Sequence, residues 1–169
     1  MKSTRLFSAA TIACSMLGAC TSADGVGAEP RFDIAGAQAE IFAQADTWTL
    51  YATDPTPLPR EQVPDANFHG YAILGEAELS DSEARADLVT RLNAGIRAND
   101  DMVAACFNPR HGLRAETDAG SADLLICFEC LQIYVYGDGE QHTESVLTSK
   151  LPAAAFNRVY ENAGLAIAN

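Results

Sequence analysis

Apolar and polar residues along the chain fall into short blocks of different period. Residues 34–45 (IAGAQAEIFAQA) place Ile34, Ala37, Ile41 and Ala45 at helical spacing, in a stretch rich in Ala, Gln and Glu. Residues 47–53 (TWTLYAT) alternate β-branched and aromatic positions and predict a strand that ends at Asp54-Pro55. Four prolines between 55 and 64 predict a surface loop. A second strand is expected over 68–77 (FHGYAILGEA). The S-x-x-E box at Ser80–Glu83 then opens an amphipathic helix over about 81–98, with Ala84, Leu88, Leu92 and Ile96 on one face and Asp81/Arg85 and Asp87/Arg91 as i,i+4 charge pairs. A third strand over 102–107 is interrupted by Asn108–Gly112 and resumes through 113–116. Residues 124–136 (LLICFECLQIYVY) read as a central strand that is apolar on both faces. A last helix is expected from Pro152 to Asn162, with Gly164 as its stop. The order α-β-β-α-β-β-α predicts one α+β domain over 32–169, an antiparallel sheet of about four strands with two to three packed helices.

The first 20 residues follow different rules. Lys2 and Arg5 precede an apolar stretch, Leu6–Leu17, which at 12 residues is shorter than the roughly 20 a spanning helix needs. Leu17-Gly18-Ala19-Cys20 resembles the lipobox of bacterial lipoproteins, which implies a signal peptide at 1–19, lipidation of Cys20 and a membrane held through the lipid rather than through a helix. Thr21, rather than Asp, after the cysteine implies by similarity to lipoprotein sorting the inner leaflet of the outer membrane, facing the periplasm. Residues 20–31, small and Gly-containing, read as a lipidated flexible tether.

Of the 169 residues 48% are hydrophobic and 20% charged, the composition of a folded domain and not of a disordered chain. The formal charge is −12, and losing Lys2 and Arg5 with the signal takes it to −14. A surface that negative repels phosphate backbones, so nucleic acid is not expected as a partner.

With Cys14 in the signal and Cys20 lipidated, Cys106, Cys127 and Cys130 remain. Three readings stay open. One bridge between Cys106 and either Cys127 or Cys130 fits an oxidising compartment. Alternatively Cys106, His111, Cys127 and Cys130 form a Cys3His set for zinc, against which stand the strand-like Cys127-x-x-Cys130 spacing and the lack of a glycine-rich knuckle. In the third, all three are small core residues. Each reading places the cysteines out of reach of solvent, in a seam between the 102–116 and 123–136 strands. A thioredoxin-type role wants Cys-x-x-Cys at a helix N-terminus, and a thiol hydrolase built on Cys106 and His111 has no visible oxyanion device. Arg110 and His111, on a rigid interruption, could bind a carboxylate ligand or act as an acid/base pair, or simply pair with acidic neighbours, Arg110 with Glu129 for example. Trp48, Tyr51, Tyr134 and Tyr136 are expected to pack in the sheet, with a ligand-stacking platform as the alternative.

Residues 45–51 (ADTWTLY) with Asp54-Pro55, then Cys106–Gly112 (CFNPRHG), then Asp123–Cys130 (DLLICFEC) resemble a family of small exported bacterial proteins that carry C-F-x-P-R-H-G and D-x-x-I-C-F-x-C segments. The similarity spans roughly 40–168 and departs at Leu151-Pro152, where that family has Ser-Pro. It implies a fold but no activity. The expected function is therefore a lipid-anchored, non-catalytic cell-envelope protein, an interaction or structural module with an envelope protein as its candidate partner, and the alternative is a metal-binding or thiol-redox protein using Cys106, His111, Cys127 and Cys130. The anchor is directly testable: Cys20→Ser should abolish fatty-acid labelling and move the protein from the carbonate-washed membrane pellet to the supernatant.

Overall fold

A computed structural model describes residues 31–59, 61, 66–138 and 141–168; the expected signal peptide, Cys20 and the tether as far as residue 30 lie outside these residues. Helix α1 (Ala37–Gln44) starts after Gly36, whose left-handed φ of 75° keeps Ile34 out of the helix although Ile34 is still buried. Strand β1 (Trp48–Thr53) follows, then a two-residue β2 (Asn67–Phe68) and β3 (Tyr71–Leu79). His69 and Gly70, at φ 50° and 86°, make the tight turn between β2 and β3. Helix α2 (Ser82–Arg97) is capped by Asp81, whose Oδ1 accepts the Glu83 and Ala84 N–H groups; Ser80, the expected cap, lies one residue too early. Strands β4 (His111–Thr117), β5 (Gly120–Cys127), β6 (Gln132–Tyr136) and β7 (Glu144–Leu147) form a meander, and α3 (Ala153–Asn162) ends at Gly164, φ 81°.

The sheet has seven strands in the order β2-β3-β1-β4-β5-β6-β7, every neighbouring pair antiparallel, and it is curled. This corrects the expected sheet of about four strands, and the molecule is mostly β. Three local causes account for the difference. Residues 124–136 are two strands, because the chain reverses over Phe128–Leu131, with Leu131 left-handed at φ 61° where a glycine would have announced the turn. The expected 102–107 strand does not form: both edges of β4 are already taken, by β1 and β5, so this segment has no partner. Strand β7 is four residues with one buried side chain, Val146, too short for a period to show.

All three helices pack on one face of the sheet. Trp48, Leu50 and Ala52 of β1, Leu113 and Ala115 of β4, Leu124 and Ile126 of β5, and Ile133 and Val135 of β6 meet Phe42, Leu88, Leu92, Phe156 and Tyr160 in the main core. Phe32 enters this core against Phe42 and Trp48, at ring distances of 5.2 and 5.4 Å. Strand alternation sends Tyr51, Leu125, Tyr134 and Tyr136 to the other face, where Phe68, Tyr71, Ile73 and Phe107 join them in a second cluster.

Helix α2 touches the start of α3 at Gly95, where an added Cβ would stand 2.4 Å from Pro152 Cγ and 2.7 Å from Thr148 Oγ1. Helix propensity alone favours Gly95→Ala by about 1 kcal/mol. The overlap with a proline ring should cost about 1–3 kcal/mol and outweigh it. Urea melts of Gly95→Ala should therefore show a net loss of stability; a gain would mean that α2 and α3 separate easily.

Candidate functional site

The polar centre of the helix-free face is Asp123, 1% exposed in mid-strand on β5. Its cross-strand neighbour Arg114 clamps it with both arms, Nε donating to Oδ1 at 2.8 Å and a terminal nitrogen to Oδ2 at 2.7 Å, while His69 Nε2 reaches Oδ2 at 2.7 Å from the β2–β3 turn. Burial pushes the Asp123 carboxyl up, but the hydrogen bonds from Arg114 and His69 and their charges outweigh it and hold it below the ordinary value. The same hydrogen bond raises the Arg114 guanidinium further.

Aromatic rings surround this knot. Phe68 lies over Gly112, where a Cβ would come within 2.6 Å of the ring, and stacks on Tyr51 at 4.5 Å. Arg114 sits 5.6 Å above the Phe68 ring. His69 stacks on Tyr136 at 3.5 Å, and Tyr134 is sandwiched between Phe107 at 3.9 Å and His142 at 4.5 Å. Tyr71 O–H donates to the Phe107 carbonyl at 2.9 Å. Burial pushes the Tyr136 hydroxyl up to about 12, and the neighbouring tyrosines and Asp123 add to the shift. Of the four aromatics read from the sequence, Tyr51, Tyr134 and Tyr136 belong to this face, whereas Trp48 is in the main core and donates to the Phe42 carbonyl.

The three sulfurs gather at one end of this face. Cys127 closes β5 on the side of Leu125 and is bonded to Cys130 in the reversing turn. The expected bridge from Cys106 to Cys127 or Cys130 is thus replaced by Cys127–Cys130, since the reversal brings Cys130 back beside Cys127. Cys106 is a free thiol, its Sγ 3.8 Å from Cys130 Sγ. Cys127 and Cys130 are buried, but Cys106 is exposed, contrary to the expectation that all three are inaccessible; its segment rests on the end of the sheet instead of pairing within it. That segment is tied down by Ala104 N–H to the Cys130 carbonyl at 3.1 Å and Asn108 N–H to Cys130 Sγ at 3.2 Å.

His111 is on the opposite side of the sheet. Its ring packs edge-on against Phe128, Phe156 and Tyr160, and Nε2 meets Asn157 Oδ1 at 2.8 Å. The four residues of the Cys3His set are therefore split between two faces, with two of the sulfurs bonded to each other, and the Cys106–His111 pair is not assembled. Among the described residues no group of three or more His, Cys, Asp or Glu side chains is arranged to hold a metal ion. Arg110 donates to Glu129 at 3.0 Å, the pairing weighed from the sequence, and to the Ala168 carbonyl at 2.9 Å. Arg110 and His111 do line a cavity together, with Asn108, Phe128 and Asn157, but at about 220 Å³ it is smaller than the roughly 300–1,000 Å³ of ordinary ligand sites.

His69 and Asp123 had no signal in the sequence as a pair, being 54 residues apart; only an acidic residue inside an apolar strand hinted that something must pair with it. Comparisons with protein-family models, with curated proteins and with solved structures found no match to this chain.

Burial holds the His111 imidazole down to about 4 from 6.5; the Asn157 hydrogen bond opposes the shift and the Arg110 charge adds to it. A base with a depressed folded value contributes stability that is complete above about pH 6.5 and is lost as pH falls toward 4, because the unfolded chain takes up the proton first. The loss amounts to about 3 kcal/mol across that window. Urea melts at pH 7, 5.5 and 4.5 should show it, and His111→Gln should flatten the curve over the same range.

Proposed function

We propose that this protein is a lipid-anchored module of the cell envelope that engages another envelope protein through the end of the sheet carrying residues 102–107. The observation that carries this reading is the exposed apolar segment Met102-Val103-Ala104-Ala105-Cys106-Phe107, in which Met102 is 58% and Val103 50% exposed. Large apolar side chains grouped on a surface lose free energy when a partner covers them. The segment ends at half-buried Phe107, which stacks on Tyr134 at 3.9 Å and meets Tyr71 edge-on at 6.4 Å, an amphipathic rim of the kind that anchors protein interfaces. The lipobox-like Leu17–Cys20 supports attachment, and the eleven residues between Cys20 and Phe32 allow the domain to reach at most about 40 Å from a lipidated cysteine. Among the described residues no helix is long and apolar enough to cross a membrane.

A photo-crosslinking residue at Val103 should trap a discrete envelope protein in intact cells, whereas the same residue at Glu161, exposed on α3, should not. Met102→Asp with Ala105→Asp, introduced beside the crosslinker at 103, should remove that adduct without shifting the thermal melt, since both positions are exposed. Equal crosslinking from positions 103 and 161, or an adduct that survives the double substitution, would sink the proposal.

A further inference from the structure

The geometry points to Cys106, Cys127 and Cys130 as a thiol–disulfide exchange site that carries the oxidising equivalents of a buried bridge out to the thiols of a polypeptide, with Cys106 as the sulfur that meets the partner. Both sulfurs of the Cys127–Cys130 bridge are shielded from solvent, so an outside thiol cannot reach them directly. Among the described residues Cys106 is the exposed cysteine, and its sulfur lies 3.8 Å from Cys130 Sγ.

In the first step the Cys106 thiolate attacks Cys130 Sγ, 3.8 Å away. The Cys106–Cys130 bond forms and the Cys127–Cys130 bond breaks. The electron pair leaves on Cys127, which takes up the proton that Cys106 gave up, and nothing is oxidised or reduced overall. Two backbone donors suit this exchange. The Cys130 N–H already points at Cys127 Sγ, at 3.1 Å, where the negative charge develops, and the Asn108 N–H holds Cys130 Sγ at 3.2 Å. In the new isomer the exposed sulfur of Cys106 is part of a disulfide. A partner thiolate attacks Cys106, forming a mixed disulfide and releasing the Cys130 thiolate. A second thiol of the same partner attacks its own sulfur in that mixed disulfide, so that the partner leaves as a disulfide and Cys106 as a thiol. Two electrons pass from the partner dithiol to the chain, which ends with Cys106, Cys127 and Cys130 all reduced.

A polypeptide is the fitting partner because the exposed apolar residues Met102 and Val103 lie on the same short segment as Cys106, four and three residues before it. This assignment does not depend on lipidation of Cys20 or on a stable envelope complex.

Full-length protein incubated with a reduced peptide carrying two cysteines and apolar flanks, then quenched in acid, alkylated and digested without reductant, should yield Cys106–Cys130 and Cys106–peptide linkages by mass spectrometry. Peptide oxidation should fall by about an order of magnitude in Cys106→Ser, which keeps the Cys127–Cys130 bridge and, being a surface change, should melt as the parent does. Cys127→Ser should hold the Cys106–Cys130 bridge and make position 106 unreactive to maleimide. Equal peptide oxidation by the parent and Cys106→Ser, linkage maps with Cys127–Cys130 alone, or persistent maleimide labelling of Cys106 in Cys127→Ser would each overturn the proposal. Reaction with glutathione but not with the peptide would overturn the polypeptide assignment.

Discussion

Strand β5 is buried on both of its faces, and most of the structure answers to that constraint. Leu124 and Ile126 point toward the helices while Leu125 and Cys127 point the other way, and all four are shut off from water. A strand of this kind forces both sides of the sheet to be covered. Three helices cover one side. The other is covered without a helix, by the β2–β3 turn that lays Phe68 and His69 over the sheet and by Phe107 arriving from the irregular segment before β4. Gly112 gives Phe68 the room to do so.

A carboxylate sits in the middle of that dry strand. Asp123 is retained because Arg114 supplies a planar pair of donors from the adjacent strand and His69 fills another acceptor position on Oδ2 from above. An unpaired carboxylate there would cost several kcal/mol, so the His69 turn and the Arg114 strand are held to one relative position. The backbone accepts a non-glycine residue at positive φ to achieve it, His69 being a residue type that tolerates that region.

The same layout creates the chemically active end of the molecule. Because β5 is cut short at Cys127, Cys130 returns beside it and the two bond, and because β4 has no free edge, residues 102–107 stay outside the sheet. An exposed thiol, on a segment that also carries exposed apolar side chains, thereby comes to lie next to a buried disulfide. On the other side of the sheet the His111 imidazole is held well below its ordinary value by burial among aromatic rings.

Much of the local structure was legible in the residues themselves. Helix α2 carried its cap and its four-residue apolar spacing, β1 its alternation, α3 its proline start and glycine stop, because short-range periodicity and capping chemistry are properties of contiguous chain. The apolar run 124–136 announced a doubly buried strand but concealed the turn inside it, since the residues Phe128–Leu131 carry no glycine, proline or asparagine and the reversal depends on a left-handed leucine. Three cysteines and a histidine in one region suggested a common centre; which of them meet was decided by the face each side chain takes, and strand register sets that through pairings across the whole sheet. The His69–Asp123–Arg114 knot and the proximity of Cys106 to Cys130 exist only once residues 54 and 24 positions apart are brought together. Such contacts follow from how the chain closes both faces of β5, a long-range packing requirement that no local pattern encodes.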